Sequence, residues 1–300
     1  MARISDNMRG AALMTAAMVT FTINDTFTKV LSEALPLWQL IFLRGLGVTV
    51  CLLILARAMG QLTYRLPRRD WFYMWLRAAA EIGGAYFFIT ALFNMPIANV
   101  SAIMQVLPLS VALAGALFLR EPLGWKRLLA ILIGFGGVML IVRPGGADFT
   151  SYSVYALLAV ACVTLRDLVV RKLSRAVPSL MVSVVAAVGV TVFAGAASLT
   201  ETWQPLAGWD VFHLAGATVF VIFGYVFSVT AMRVGDIGFV APFRYTSLLT
   251  ALILGVLVFG EFPTVPTLMG AGIVVATGLF TLFRERRLNL LRPVVPSRIR

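Results

Sequence analysis

Ten stretches of about 20 predominantly apolar residues run along this 300-residue chain, at roughly 10–31, 38–58, 71–93, 97–119, 125–142, 153–173, 179–199, 212–233, 237–259 and 263–283. A helix needs about 20 such residues to cross roughly 30 Å of hydrocarbon. The breaks between them carry helix-ending chemistry: Pro36, Pro67, Pro96, Pro122, Pro144-Gly145-Gly146, Pro178, Pro205, Gly235-Asp236 and Pro263. The runs are too long and continuous for the strands of an outer-membrane barrel, which alternate over pieces of about 10 residues. Sixty per cent of the chain is hydrophobic and 13% is charged. A soluble domain is nearer half apolar and a quarter charged, so one core cannot bury this much apolar surface. Arg3 and Arg9 before the first run would suit a signal peptide, but the run continues past Asp25 to Leu31 without a small-residue cleavage site. The pattern predicts an all-α membrane protein with ten transmembrane helices.

Charge placement predicts the orientation. With ten spans both termini lie on one side, and that side receives 19 of the 25 basic residues, from Arg3 and Arg9 to Arg298 and Arg300. The opposite loops hold Arg143 with Asp148, Glu201, Asp210 and Glu261. Cytoplasmic loops are the basic ones, which puts both termini in the cytoplasm and the chain in an inner (plasma) membrane as a multi-pass protein. The net charge of +12 is then a border of cations facing anionic lipid head groups and calls for no nucleic acid.

The chain also repeats itself. "SAIMQVLPLSVALAGALFLRE" (Ser101–Glu121) and "APFRYTSLLTALILGVLVFGE" (Ala241–Glu261) are equal in length, end on glutamate and place Gly115 and Gly255 alike. "NDTFTKVLSEALP" (Asn24–Pro36) resembles "RDLVVRKLSRAVP" (Arg166–Pro178), matching Asp25 with Asp167, Lys29 with Arg171, Ser32 with Ser174 and Pro36 with Pro178. Spans 1–5 and 6–10 are therefore expected to be two copies of one unit. The expected layout is a cytoplasmic N-terminus (1–9), a first five-helix repeat (10–147), a second (148–284) and a basic cytoplasmic tail (285–300). Five is odd, so the copies are inverted relative to each other. Inverted repeats are a signature of secondary transporters, with the solute held near the midplane where the repeats meet.

These residues resemble a known family. "LWQLIFLRG" (Leu37–Gly45), the span 3–4 and 8–9 junctions "ALFNMPIANVSAI" and "AMRVGDIGFVAPFRY", and the glutamates in "FLREPL" and "VFGEFP" are similar to the EamA family of the drug/metabolite transporter superfamily. The resemblance covers about residues 10–284. It implies transport of amino acids, vitamins such as riboflavin, S-adenosylmethionine, sugars or drugs, with spans 3, 4, 8 and 9 lining a central pocket. The "APFRY" form of span 9 is similar to the branch holding riboflavin and S-adenosylmethionine carriers.

Apart from the basic residues at their cytoplasmic ends, eight charges stand inside spans: Asp25, Lys29, Arg44, Arg77, Glu81, Arg166, Asp167 and Arg244. A charge in hydrocarbon is costly and is expected to pair or to work. Asp25 and Lys29 are four residues apart on one helix face, the spacing of an ion pair. With Asn24 and Arg44 they are candidates for an ion-pair network or a gate, and Arg166, Asp167 and Arg171 are the matching set at the other mouth. Arg77 is expected to reach back to the membrane surface. Glu81 and Arg244 lie deeper. They pair with each other or meet the solute, Glu81 by accepting a proton or a cationic group and Arg244 by clamping a carboxylate or phosphate through its planar fork. Tyr86, Gln105, Tyr225 and Tyr245 are the polar candidates around them for solute binding. Trp38, Trp71, Trp75 and Trp209 read as interfacial anchors. Pro108 and Pro242 are expected to bend spans 4 and 9.

Cys51 and Cys162 sit inside spans and the only histidine, His213, at a span end, which suits neither a disulfide framework nor a metal cluster. The chain has no GxxxxGK[ST] phosphate loop, and its loops are too short for an added catalytic domain. No cofactor is expected. The glycine spacing implies no particular oligomer and leaves monomer and homodimer both open. The reading is a secondary transporter, not an enzyme, moving a small polar or amphipathic metabolite by alternating access. The alternative is an integral-membrane enzyme acting on lipid-linked substrates.

Overall fold

A computed structural model describes residues 2–63, 65–120, 124–144, 150–174 and 176–291, with side chains described for all of these but 2–5, 237–238 and 285–291. Glu121, Asp148 and the end of the basic tail (292–300) lie outside the described residues. The described chain is helical and contains no strand: α1 (Ala2–Val30), α2 (Leu37–Ala58), α3 (Arg68–Asn94), α4 (Ile97–Met104), α5 (Leu107–Leu119), α6 (Trp125–Val142), α7 (Ser151–Val170), α8 (Ser179–Ser198), α9 (Gly208–Val234), α10 (Ile237–Val240), α11 (Thr246–Phe259) and α12 (Val265–Leu291). Short 3₁₀ turns follow α1 (Leu31–Glu33) and α10 (Ala241–Tyr245).

Nine segments among the described residues are long and apolar enough to cross a membrane, counting α4–α5 as one and Ala241–Phe259 as another. The tenth expected span, α1, is not among them. It is 29 residues long but carries five threonines, Asn24, Asp25 and Lys29. Four of its hydroxyls are satisfied within the helix: Thr15, Thr20, Thr22 and Thr26 donate to the carbonyls of Ala11, Ala16, Met18 and Thr22, at 2.9–3.0 Å. Such back-bonding removes their need for water.

Large apolar side chains point outward: Ile54, Leu117, Phe118, Leu257 and Phe262 are all exposed. So much exposed apolar surface calls for an apolar solvent. The main core lies around the junction of α4 and α5, where the fully buried Ile103, Val106 and Leu109 meet Ile131 and Val138 of α6, Leu248 of α11 and Val274 of α12.

Helices pair across the two halves of the chain: α1 with α9, α2 with α8, α3 with α7, α4 with α11, and α6 with α12. Exchanging the halves leaves this set unchanged. Individual contacts repeat the pattern. Thr49 and Thr191, 142 residues apart, share a hydroxyl bond of 2.9 Å. Gln105 and Ser247, also 142 apart, are joined at 2.8 Å. The Trp38 amide donates to the Glu201 carboxylate at 3.0 Å, and the Leu180 amide donates to Gln61 Oε1 at 3.4 Å. Helices α6 and α12 cross where Gly137 meets Gly270, so closely that a Cβ on Gly270 would strike the Gly137 carbonyl. These glycines serve close packing.

Two spans are broken, in corresponding places. The α4–α5 segment turns at Gln105–Val106, and the second breaks into 3₁₀ geometry over Ala241–Tyr245. Proline lacks an N–H and its ring crowds the carbonyl four residues back. Pro108 thus deprives Met104 of its acceptor bond, and Pro242 does the same to Gly238. The breaks face each other, because Gln105 Nε2 donates to Ser247 Oγ and, at 3.5 Å, to the Tyr245 carbonyl.

Candidate functional site

Three charged groups gather inside the helix ring. The first joins α1 and α2. Arg44 Nη1 donates to Asn24 Oδ1 and Thr28 Oγ1, both at 3.3 Å, and Asn24 Nδ2 donates to Asp25 Oδ1 at 2.9 Å. Asn24 thus links the guanidinium to the carboxylate. The Asp25–Lys29 pair expected from their spacing does not form. Lys29 Nζ lies 2.6 Å from Glu261 Oε1 and donates to the Met95 carbonyl at 2.5 Å. Glu261 Oε2 accepts from the Ile97 amide at the first turn of α4, at 2.9 Å. One ion pair therefore ties the end of α1 to the start of α4 and the end of α11.

The second group joins α3 and α7. Arg166 Nη1 lies 3.2 Å from Glu81 Oε1, and Arg166 Nε donates to Asp167 Oδ1 at 2.9 Å. Arg77, expected at the membrane surface, instead turns to Glu81 Oε2 at 3.5 Å and donates to the Val182 carbonyl at 3.4 Å. The expected Glu81–Arg244 pair is likewise replaced: Glu81 is held by Arg166 and Arg77. The guanidinium of Arg166 is closer to Glu81 because α3 and α7 pack along their lengths, a contact that sequence spacing does not reveal. Arg171 caps the exposed end of α7.

The third is Arg244, on the 3₁₀ turn that interrupts its span. It is exposed, and the charges of Asp167 and Arg166 act on it. Between the groups stands Tyr225, near the middle of α9. It is 47% exposed, yet Glu81, Arg166, Arg44 and Arg77 all act on it. Those charges come from α2, α3 and α7. Glu81, Arg166 and Asp167 are also partly exposed, with Asp167 at 39%.

An aromatic wall lies on the same helices toward the α2 start. Trp38 stacks on Tyr86 with centroids 5.2 Å apart and planes at 9°. Tyr155 lies 6.1 Å from Tyr86, and Phe193 meets Trp38 edge-on at 5.5 Å. Trp38 thus belongs to an aromatic stack, whereas Trp75 and Trp209 are exposed. Sequence reasoning missed Trp38 and Tyr155 for one reason: each sits in the first turns of its helix, where an anchor also belongs.

Two candidates fall elsewhere. Gln105 is buried in the joint between the broken spans. Tyr245 is 7% exposed, and its hydroxyl has no hydrogen-bond partner among the described residues and lies against Gly278 of α12. Among the described residues no three His, Cys, Asp or Glu side chains gather as a metal ion would require.

The model of the EamA-like transporter family matches the chain twice, over residues 8–143 and 150–283. The chain belongs to that family. Family membership sets aside the membrane-enzyme alternative. The S-adenosylmethionine uptake transporter of Rickettsia prowazekii (strain Madrid E) is 24% identical to this EamA-type transporter over 283 residues, 93% of this chain and 94% of the relative. The riboflavin transporter of Vibrio cholerae serotype O1 is 33% identical over 208 residues, 68% of this chain and 69% of the relative. A solved crystal structure at 20% identity superposes with a TM-score of 0.63 over 95% of this chain and 99% of that one, a likeness of fold.

Proposed function

We propose that this EamA-type protein is a ten-span secondary carrier whose two inverted five-helix halves hold a small polar or amphipathic metabolite between them. The halves correspond to residues 10–147 and 148–284. Helix α1 is the tenth span: it packs along α9, and four of its hydroxyls bond its own backbone. The helix pairing that survives exchange of the halves supports the inverted arrangement. The basic residues that border one set of loops support an inner-membrane location with both termini in the cytoplasm.

One observation carries the reading. Charged groups of the first half (Arg44, Arg77, Glu81) and of the second (Arg166) act on one half-exposed tyrosine, Tyr225, and Arg166 with Asp167 acts in turn on Arg244. Broken helices near the midplane are where carriers place their solute site. In this reading Glu81, Tyr225 and Arg244 meet the solute's polar groups, and Tyr86 with Trp38 offers a flat face to a ring. Gln105 and Tyr245 hold the two breaks in register. Asn24, Asp25, Lys29, Arg44, Arg166, Asp167 and Arg171 supply ion pairs that open and close at the two mouths. The named relatives point to S-adenosylmethionine-like or riboflavin-like solutes.

Purified protein in proteoliposomes, offered radiolabelled S-adenosylmethionine and riboflavin in turn, tests this. Time-dependent accumulation of one label, recovered chemically unchanged, is expected. Tyr225→Ala removes a polar contact of the neutral kind and is expected to slow initial uptake roughly three- to tenfold at unchanged protein yield. Recovery of a chemically altered product, or uptake indifferent to Tyr225, would contradict the carrier site.

A further inference from the structure

We infer that the solute carries a single carboxylate and that Arg244 is the residue that reads it. The inference rests on the carrier reading above and narrows its substrate class. Of the eight charges read as standing well inside the spans, four are guanidiniums (Arg44, Arg77, Arg166, Arg244) and three are carboxylates (Asp25, Glu81, Asp167), while the eighth, Lys29, is matched by Glu261. By formal charge that set is left with one positive charge in excess.

The contacts show where that excess sits. Arg166 binds both Glu81 and Asp167, and Arg77 also leans on Glu81. Arg44 is engaged by the side-chain oxygens of Asn24 and Thr28, with Asp25 acting on it. Arg244 alone of the four makes no ion pair or hydrogen bond through its side chain among the described residues, and it is exposed at the break in its span. Asp167, whose charge acts on it, is already bound to Arg166. A lone cation at this depth is costly to hold, and a permeant anion offsets that cost only while it is bound. Arginine's planar fork matches a carboxylate with two parallel bonds. One excess charge balances a carboxylate. A phosphate near neutral pH carries between one and two charges and would overfill the site. An ammonium on the same solute would find Asp167 beside the clamp.

Two matched pairs of compounds test the inference by equilibrium binding to the purified full chain: S-adenosylmethionine against its decarboxylated form, and tryptophan against tryptamine. A charge-assisted bond implies that loss of the carboxyl weakens binding about 10- to 100-fold in at least one pair. Arg244→Gln is expected to bring both members of that pair to within about threefold of each other, and Arg244→Lys to restore part of the difference. A purely structural role for Arg244 would weaken both members alike. The comparison in the unmodified protein decides the matter even if Arg244→Gln does not fold. Carboxyl-free members or riboflavin binding as tightly would leave the carrier standing and overturn the clamp. So would a preference for riboflavin 5′-phosphate over every carboxylate. Absence of both binding and proteoliposome uptake for every compound would overturn the carrier reading and the clamp with it.

Discussion

Glu261→Gln is expected to lower the melting temperature of the purified protein by roughly 6–12 °C, corresponding to about 3 kcal/mol. The substitution leaves the Lys29 ammonium, 10% exposed, without its carboxylate. It also weakens the acceptor for the Ile97 amide at the start of α4. Breaking a buried ion pair from one side costs about 3–5 kcal/mol, and the lower end applies here because Glu261 is 21% exposed. Lys29→Met should cost a comparable amount. The double variant Lys29→Met/Glu261→Leu should recover most of the loss, because well-packed apolar residues often replace a buried pair at little cost. Equal additive losses in the double variant would mean that the two residues act separately. The melting curves of the three variants are sufficient to decide.

Gly278 and Tyr245 provide the second large effect, with opposite signs for two small changes. A Cβ on Gly278 would fall on the Tyr245 hydroxyl, so Gly278→Ala must push the ring out of its slot between the broken span and α12. Overpacking of this kind costs about 1–3 kcal/mol. Tyr245→Phe should do the reverse. It deletes a buried hydroxyl that has no partner among the described residues, and such a group carries a penalty of about 1–3 kcal/mol. Stability should therefore rise, with transport kept. In a Gly278→Ala background, Tyr245→Phe should recover part of the loss. A Tyr245→Phe protein that is stable but transport-dead would show instead that the hydroxyl meets the solute.

Much of the fold is legible in the apolar runs. The stretches read at 97–119, 125–142 and 179–199 correspond to Ile97–Leu119, Trp125–Val142 and Ser179–Ser198. Helix termini follow Pro and Gly, whose backbone chemistry is local. The prolines also mark the spans that break, though the sequence suggests a bend and the structure has a turn. The pairing of charges was not legible. Asp25 and Lys29 have the spacing of a helical pair, but Lys29 finds Glu261, 232 residues away, at 2.6 Å. Glu81 similarly finds Arg166 rather than Arg244. Spacing along one helix ranks the partners a side chain has on its own face. It says nothing about what a neighbouring helix presents at the same depth. Trp38 was hidden for a related reason, since a tryptophan in a helix's first turn suits the lipid interface and an interior stack equally well.

The central claim, a solute path between the two halves, is tested most directly at Tyr225. The two cysteines, Cys51 and Cys162, are free and can be replaced by alanine, giving a background in which Tyr225→Cys is the only thiol. Sealed vesicles of each orientation are then treated with a membrane-impermeant thiol reagent, with and without the transported solute. Labelling from either face, slowed by the solute, is the result expected of a site that opens to both sides. A thiol that reacts from neither face, or from one face only and without regard to solute, would contradict the account.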